Sequence, residues 1–205
     1  MVVAVLCFYA LTEELAEDKL KVYDDFVIRH IVSFRTPFNT ELMKSITFVG
    51  NLIGYILIIP ILTIFFIIRK TWRLSLEITL VLLLSSGLNV VLKNIIERQR
   101  PPEIGRLVFA QFYSFPSGHA MSAITFYGFI IYLCLILVKK AWLKYSIILL
   151  CIFITALIGI SRIYLGVHLA LDVLSAFCVG AMIGSLTFWV WRLLTQKLLG
   201  TWPEV

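Results

Sequence analysis

The chain alternates between long apolar stretches and short polar interruptions. Five of the stretches approach the roughly 20 residues that an α-helix needs to cross the hydrocarbon core of a bilayer. They are Ile46–Ile68, Leu74–Leu92, His119–Val138, Tyr145–Ile160 and Leu169–Trp191. The fourth is shorter than the others, and a helix end buried within the protein would accommodate it. The pattern predicts an all-α, polytopic membrane bundle with five full spans.

The first 45 residues carry a different pattern. Val2–Leu11 is apolar but would cover only about 15 Å as a helix, which predicts a partial N-terminal span or a stub packed on its neighbours. Thr12–Lys44 mixes acids and bases around scattered apolar residues. This mixture is typical of an amphipathic interfacial connector whose charges face solvent. We therefore expect a single domain over residues 1–205, with the partial span and connector over 1–45 and the main helical bundle over 46–192.

Composition narrows the class of protein. Of the residues, 60% are hydrophobic and 15% are charged, whereas soluble domains average about 25% charged residues. The net charge of +6 is spread between the apolar stretches, without a basic, aromatic-rich strip, so no nucleic-acid partner is expected. The four cysteines lie inside apolar stretches without paired spacing, which predicts small buried side chains. The chain is expected to reside in a lipid bilayer, and no obligate protein partner is inferred.

Basic residues in the short loops predict the orientation of the bundle, because lysine and arginine concentrate on the cytoplasmic side of a membrane. Three places on one side are rich in them: Arg69, Lys70 and Arg73; Lys139, Lys140 and Lys144; and Arg192 with Lys197. The intervening segments Thr12–Lys44, Lys93–Gly118 and Ser161–His168 are then extracytoplasmic. The pattern predicts a multi-pass protein of the cell membrane whose active site faces the periplasm or the cell exterior.

Ionisable side chains at the ends of apolar stretches are the candidate functional groups, because a charge near hydrocarbon is costly. His168 and Asp172 are four residues apart, a spacing that places both on one face of a helix. A carboxylate bonded to one imidazole nitrogen fixes the tautomer and leaves the other nitrogen free to attack. The alternative is a polar pair that only stabilises the end of a helix.

Pro116–His119 precedes a long apolar stretch and predicts the start of a helix, with Ser117 as its N-cap. Gly118 permits close approach of the backbone, and the free N–H groups at a helix start favour an anion. His119 would stand where the leaving oxygen of a bound phosphoester can receive a proton. By itself, the tetrapeptide is also compatible with a simple helix cap beside a histidine.

Three cations complete the set of candidate groups. Lys93 ends one span, Arg100 follows in a loop, and Arg162 lies in a short turn between two spans. Together they suit a tetrahedral dianion, because a guanidinium group can donate two hydrogen bonds to phosphate oxygens. The alternative is snorkelling or contact with lipid headgroups, which we adopt for Arg98 and Arg106.

These groups fall into three blocks that resemble, in order and spacing, the signature of the type 2 phosphatidic acid phosphatase (PAP2) superfamily. The blocks are Lys93-(six residues)-Arg100-Pro101, Pro116-Ser117-Gly118-His119, and Ser161-Arg162-(five residues)-His168-(three residues)-Asp172. The resemblance implies a PAP2/haloperoxidase-like core, with six spans in most membrane members. It also implies a phosphatase for phosphomonoesters or diphosphates that needs no metal and no other cofactor.

The roles of individual residues are likewise what the resemblance implies. His168 is the nucleophile and forms a phosphohistidine, and Asp172 orients it. His119 protonates the leaving alcohol and then activates the water that releases phosphate. The phosphoryl oxygens are held by Lys93, Arg100, Ser117, Gly118 and Arg162.

A site at the membrane surface favours a lipid phosphate whose chains remain in the bilayer. Undecaprenyl diphosphate and phosphatidylglycerophosphate are the first candidates, and phosphatidic acid and a lipid A phosphate are the alternatives. The Pro102–Phe115 loop, with Phe109, Phe112, Tyr113 and Phe115, predicts either an interfacial lid or an ordinary aromatic-belt anchor. Two other classes of protein stay open at this point: an anion transporter and a non-catalytic lipid-binding protein.

Overall fold

The computed structural model describes residues 2–16, 21–102 and 105–199. Its helices are α1 (Val2–Ala16), α2 (Lys21–Val32), α3 (Pro37–Val49), α4 (Leu52–Ile68), α5 (Arg73–Ile96), α6 (Gly118–Leu137), α7 (Ala141–Tyr164) and α8 (Ala170–Leu199). These described ranges contain helices and connecting segments but no β-strand. The all-α fold class predicted from the hydrophobic pattern is confirmed.

Four helices, α5 to α8, are long and apolar enough to cross a bilayer. The pair α3 and α4 meets the same criterion together, although the two helices are bent by 52° at the break between them. The chain is therefore a multi-pass membrane protein with four to five apolar spans among the described residues. α1 contains a shorter apolar segment, Val2–Glu13.

The bend corrects the prediction of one continuous span over Ile46–Ile68. α3 ends at Val49, and Asn51 begins a new helix by accepting a hydrogen bond from the Gly54 amide at 2.7 Å. An asparagine in this position satisfies an otherwise free N–H group of the new helix. Hydropathy missed the break because the residues on both sides of Asn51 are apolar.

The fourth predicted span, Tyr145–Ile160, is too short in comparison with the structure. α7 runs for 24 residues and includes Arg162 in its last turn. Arg162 is 6% exposed and donates a hydrogen bond to the Thr47 hydroxyl at 2.8 Å. The prediction stopped at the polar residues after Ile160, whereas in the fold this polar turn is buried against α3.

Helix α6 lies at the centre of the bundle and contacts α5, α7 and α8. Its Phe129 is fully buried and belongs to one cluster with Ile78 of α5 and Ile158 of α7. Gly180 of α8 approaches α6 so closely that a Cβ atom would lie 2.7 Å from the Met121 carbonyl oxygen. Because lipid is as apolar as these side chains, close packing rather than the hydrophobic effect holds such helices together.

The N-terminal helices pack on the bundle. α1 lies against α8, and α2 contacts both α7 and α8. The Phe8 ring of α1 is also 6.2 Å from the ring of Phe115, which precedes α6. Asp24 of α2 is only 2% exposed. The expectation that the charges of the connector face solvent is therefore wrong for Asp24.

The cysteines follow the prediction only in part. Cys134 and Cys151 are buried, and Cys178 is partly buried. Cys7 of α1 is exposed. For Cys7, the prediction of a buried side chain is wrong.

One end of the bundle gathers the three sequence blocks. The last turns of α5 and α7 meet the first turns of α6 and α8 there, and the Ser117 amide donates to the Asp172 carbonyl oxygen at 3.0 Å. The segment between α5 and α6 lies over the same end, where the Leu107 amide donates to the Leu165 carbonyl oxygen at 2.9 Å. The fold thus brings residues that are up to 79 positions apart into one site.

Candidate active site

His168 and Asp172 form a buried pair at the start of α8. Nδ1 of His168 lies 3.3 Å from Oδ2 of Asp172, and the two residues are 2% and 0% exposed. The Leu169 amide donates to the same oxygen at 2.9 Å. A carboxylate at Nδ1 favours the tautomer with the proton on that nitrogen, so that Nε2 carries a lone pair.

The protonation state of His168 suits a nucleophile. Burial lowers its pKa from the ordinary value of 6.5 to about 4. The hydrogen bond and the charge of Asp172 act in the opposite direction, while Arg162 and Arg100 lower the pKa further. Since a buried imidazole resists charging, the ring is neutral near pH 7.

Ser114 is a member of the site that the sequence did not reveal. Its hydroxyl donates to Oδ2 of Asp172 and lies 3.4 Å from Nδ1 of His168. The residue is fully buried in the segment between α5 and α6. A serine two residues before Pro116 carries no sequence signal for this role, because the contact depends on how the segment folds over α8.

Arg98 is the second residue that the sequence interpretation missed. Its Nη1 donates to Oδ1 of Asp172 at 2.7 Å, and its Nη2 donates to Oδ2 of Asp24 at 2.8 Å. Burial opposes the charged form, but the two carboxylates outweigh it and raise the pKa of Arg98. The interpretation of Arg98 as a snorkelling or headgroup-contacting residue is therefore wrong.

Arg106, interpreted in the same way, also turns back into the protein. Its Nε and Nη2 donate to the Pro101 carbonyl oxygen at 2.8 and 2.5 Å. This contact closes the segment after Arg100 on itself. For Arg106, which is partly exposed, a contact with lipid headgroups stays a prediction.

Lys93 and Arg100 donate mainly to backbone carbonyl groups. Nζ of Lys93 contacts the carbonyl oxygens of Tyr113 and Ser114, the latter at 3.3 Å. Nη1 of Arg100 donates to the Val167 carbonyl oxygen at 2.6 Å and lies 3.3 Å from Nε2 of His168. Burial lowers the pKa of Arg100, and Arg106 contributes in the same direction, against Asp172.

Arg162 has the fewest contacts of the three cations. Its Nη1 donates to the Thr47 hydroxyl, and its buried Nε has no hydrogen-bond partner among the described residues. Within the same described ranges, no carboxylate lies within 4.0 Å of the charged nitrogens of Lys93, Arg100 or Arg162. The three cations are therefore solvated by carbonyl and hydroxyl oxygens, which neutralise no charge.

Ser117 occupies the N-cap position of α6, as predicted. Its hydroxyl makes no capping hydrogen bond, however, and is buried without a partner in the described part of the chain. The turn is held instead by Asn89, whose Nδ2 donates to the Pro116 carbonyl oxygen at 3.0 Å. The Ser117 hydroxyl is thus available to another group.

Gly118 and His119 open α6 on the same side of the site. A Cβ atom on Gly118 would lie 3.1 Å from Oδ1 of Asn89, so this turn is tightly packed. His119 interacts electrostatically with four members of the site: Arg162, His168, Arg100 and Lys93. The structure therefore brings together all eight residues that the sequence selected.

The aromatic residues of the 102–115 loop do not act as one group. Phe109 and Phe112 are 85% and 83% exposed, whereas Phe115 is fully buried and packs near Phe8. Phe115 is therefore a core residue, and the prediction of a lid or belt role is wrong for it. A membrane-facing role stays a prediction for Phe109 and Phe112.

A cavity of about 800 Å³ opens beside the pair, between α2 and the segment after α5. Its wall includes Asp24, Ile28, Arg98, Arg100 and His168. A space of this size is within the range of sites that accommodate organic ligands. Of the eight residues selected from the sequence, His168 and Arg100 line this cavity.

Fold and site together define a class, a multi-pass helical membrane protein with an imidazole–carboxylate pair beside three cations. The profile of the PAP2 superfamily matches residues 74–196. This range is more than half of the chain and contains all three sequence blocks. The chain belongs to the PAP2 superfamily.

Named relatives add the type of reaction. Phosphatidylglycerophosphatase B of Bacillus subtilis is 35% identical over 186 residues, which cover 87% of this chain and 88% of that protein. Dolichyldiphosphatase of Saccharomyces cerevisiae is 29% identical over 177 residues, which cover 78% and 72%. This chain is thus a hydrolase of the PAP2 lipid phosphatase type, and the transporter and non-catalytic alternatives are not retained.

A solved structure supports the same fold. The transmembrane PAP2 type phosphatidylglycerolphosphate phosphatase from Bacillus subtilis superimposes with a TM-score of 0.86 at 34% sequence identity. The alignment covers 94% of this chain and 96% of that one. It extends beyond the 74–196 range and includes N-terminal helices.

Proposed function

We propose that this lipid phosphatase hydrolyses phosphatidylglycerophosphate at the extracytoplasmic face of the cell membrane, through a phosphohistidine at His168 and without a metal ion. One observation carries the proposal. A neutral, buried imidazole, fixed by a carboxylate, lies beside cations that have no carboxylate partner in the described ranges. Such an arrangement has a nucleophile and a compensating charge for a phosphoryl group already in place.

In the first chemical step, Nε2 of His168 attacks phosphorus while the bond to the leaving oxygen breaks. His119 donates a proton to that oxygen, so the lipid leaves as an alcohol. Asp172 stabilises the positive charge that develops on the imidazole. The product of the step is a phosphohistidine and a deprotonated His119.

In the second step, water attacks the phosphorus of the phosphohistidine. His119 takes a proton from this water, and the bond between phosphorus and Nε2 breaks. Inorganic phosphate leaves, and both imidazoles return to their starting states. Dividing the hydrolysis between two displacements replaces one difficult step with two easier ones.

The phosphoryl oxygens are held by Lys93, Arg100, Arg162, Ser117 and Gly118 in this proposal. Two buried polar atoms support it, Nε of Arg162 and the Ser117 hydroxyl, neither of which has a partner among the described residues. A buried polar atom without a hydrogen bond costs about 1–3 kcal/mol. A bound oxyanion would satisfy both atoms and neutralise the cations at the same time.

Metal independence is proposed for a related reason. Phosphoryl transfer requires mainly positioning and neutralisation of the equatorial oxygens, and three cations supply both. The described residues contain no group of three or more His, Cys, Asp or Glu side chains arranged to hold a metal ion. We therefore expect chelators to leave the activity intact.

The choice of substrate is supported by similarity. Phosphatidylglycerophosphatase B of Bacillus subtilis is 35% identical to this chain over most of its length, and the solved Bacillus subtilis structure with the same activity in its name gives 34%. A polyprenyl diphosphate, such as undecaprenyl diphosphate, is the second candidate, because the yeast relative is a dolichyldiphosphatase. Phosphatidic acid and a lipid A phosphate are the remaining members of the test panel.

The proposal is tested by phosphate release from these four lipids, with purified protein in detergent micelles. We expect phosphatidylglycerophosphate to give the highest kcat/KM, EDTA to have no effect, and vanadate to inhibit. His168→Ala should abolish release, whereas His30→Ala, which changes an exposed histidine of α2, should not. Full activity of His168→Ala, or an absolute requirement for a divalent metal, would contradict the mechanism.

The orientation needs its own experiment. In a Cys7→Ser background, a cysteine placed at Lys140 reports on the loop between α6 and α7, and one at Glu41 reports on the opposite end of the bundle. We expect a membrane-impermeant thiol reagent to label the second but not the first in intact cells. Labelling of the Lys140→Cys variant from outside would overturn the extracytoplasmic assignment.

A further inference from the structure

We infer that Asp24 of α2 and Arg98 are positioning residues for catalysis, which fix Asp172 and, through it, His168. The inference deepens the proposed function and rests on it, because it concerns how the same nucleophile is held. Neither residue is one of the signature positions of the three sequence blocks, although Arg98 lies between Lys93 and Arg100. Their contacts form one continuous chain from α2 to the imidazole.

All four carboxylate oxygens of Asp24 and Asp172 take part in these contacts. Asp172 accepts from Arg98 with Oδ1 and faces Nδ1 of His168 with Oδ2. Asp24 accepts from Arg98 with Oδ2 and from the Leu171 amide with Oδ1, at 2.8 and 3.1 Å. Because Leu171 lies in the first turn of α8, Asp24 also satisfies a backbone N–H group that lacks a partner within that helix.

Burial restricts the partners that the two carboxylates can have. Asp24 and Asp172 are 2% and 0% exposed, and a carboxylate removed from water must be paired to remain charged. One guanidinium group serves both acids and holds their planes in a fixed relation, because its donors form a rigid fork. Asp172 cannot rotate toward another partner without leaving Arg98, so Oδ2 stays directed at the imidazole.

Alternatively, the contacts between Asp24, Arg98 and Asp172 are purely structural and serve only to anchor α2. The two roles predict different chemistry at His168. Arg98 draws part of the negative charge of Asp172 away from the imidazole. Without Arg98, that charge would act more strongly on His168 and raise its pKa above about 4. An anchor alone would change the folding stability but not the kcat of the variants that fold.

The charged groups around His168 come from several packed elements, and together they influence its pKa. They are Asp24 of α2, Lys93 of α5, Arg98 and Arg100 of the following segment, His119 of α6, Arg162 of α7 and Asp172 of α8. Only Arg98 and Asp24 are changed in the test. The other five groups remain as they are in the wild type.

The test compares Asp24→Asn, Arg98→Gln, Arg98→Lys and the double variant Asp24→Asn/Arg98→Gln in detergent micelles. The substrate is phosphatidylglycerophosphate, or the best lipid phosphate of the panel above. Glu41→Gln is the matched control, since it neutralises an exposed acid at the same end of the bundle. The readouts are kcat and KM across pH 4–8, together with the melting temperature.

We expect kcat to fall about 10-fold in Asp24→Asn and about 100-fold in Arg98→Gln, with KM changed by less than about threefold. The acid limb of the kcat profile should move to higher pH in Arg98→Gln, and Arg98→Lys should regain part of the rate. The double variant should lose little more than Arg98→Gln, because both residues act through Asp172.

The inference would be overturned if Asp24→Asn and Arg98→Lys fold and both keep the wild-type kcat and the wild-type acid limb of the kcat profile. Their melting temperatures do not affect this conclusion. If Arg98→Gln fails to fold, Asp24→Asn and Arg98→Lys decide alone. Failure of the inference is distinguishable from failure of the proposed function. If the wild type is active and His168→Ala is not, normal rates in the Asp24 and Arg98 variants refute only the positioning role. If wild type and His168→Ala behave alike, the mechanism itself is refuted.

Discussion

The two halves of the site differ in how their charges are balanced. In the anionic half, Asp24, Arg98, Asp172 and His168 form a chain in which both carboxylates share one guanidinium group. In the cationic half, Lys93, Arg100 and Arg162 contact only carbonyl and hydroxyl oxygens and one imidazole nitrogen among the described residues. Both halves lie at the same end of one bundle.

The difference in charge balance indicates different roles for the two halves. A buried ion pair that is fully hydrogen-bonded has no further demand for charge, so the anionic half is complete in the protein itself. Three cations with neutral partners retain a net positive charge that an anion of the right shape can neutralise. We therefore assign the orientation of the nucleophile to the first half and the binding of the phosphoryl group to the second.

The largest effect is expected from Asp172→Asn, which breaks the anionic half at its centre. The amide must direct its NH2 group toward either Arg98 or His168, and both of these are donors at that position. We expect kcat to fall about 10³-fold, while KM changes only slightly because the cationic half still binds the phosphoryl group. Steady-state kinetics with the preferred lipid test this, with Glu41→Gln as the control. A KM effect as large as the kcat effect would show that the anionic half also binds the phosphoryl group, which would contradict the assignment.

Arg162→Lys tests the cationic half with its charge preserved. Lysine keeps the cation but loses the planar fork, including the Nε donor that has no partner in the described ranges. We expect kcat/KM to fall about 100-fold. Thr47→Val is the matched control, because it removes the hydroxyl that Arg162 contacts and leaves the guanidinium group in place. A larger loss in Thr47→Val than in Arg162→Lys would argue for a structural role of the arginine.

His168 contacts Asp172 of the anionic half and Arg100 of the cationic half. The pH dependence of the folding stability tests whether its imidazole is buried and neutral there. Its folded pKa of about 4 lies below the ordinary value of 6.5, so between these values the unfolded chain binds more protons. Stability attributable to this group is present above about pH 6.5 and is lost as the pH falls to about 4. We expect the melting temperature in detergent to decrease over this window, and less steeply in His168→Gln. Equal slopes for the two proteins would show that the buried imidazole does not titrate as described.

The smallest effect is expected outside both halves. Lys44 and Glu41 form an exposed pair at 2.7 Å on α3, with side chains 41% and 74% exposed. Surface pairs contribute roughly 0–1 kcal/mol. Lys44→Ala should therefore leave kcat, KM and the melting temperature close to the wild type. A loss of activity comparable to that of Asp24→Asn would mean that any charge at this end affects the rate.

The cationic half could be predicted from the sequence because its members lie in short blocks at the ends of apolar stretches. Lys93, Arg100 and Arg162 stand out where a charge is costly, and the spacing of the blocks identified the family. His168 and Asp172 were found for the same reason, since four residues form one helical turn. The four long apolar helices, α5 to α8, and the all-α class followed from hydropathy alone.

The anionic half could not be completed in this way, because its contacts join distant segments. Asp24 lies among mixed charges that look solvated, and only the packing of α2 against α7 and α8 buries it. Arg98 lies between two signature residues and carries no mark of its own in a single sequence. The bend at Asn51 was missed for a local reason, since one polar residue in a long apolar stretch scarcely changes the average hydropathy.

The most direct test of the division between the halves is the binding of vanadate, which resembles a phosphoryl group in transfer. The melting temperature is measured against vanadate concentration for wild type, Arg162→Lys and Asp24→Asn in detergent, at constant ionic strength. A ligand at 100 times its Kd stabilises a folded protein by about 2.7 kcal/mol. We predict a clear rise for wild type and Asp24→Asn and a much weaker one for Arg162→Lys. No rise in the wild type, or a loss in Asp24→Asn equal to that in Arg162→Lys, would contradict the account.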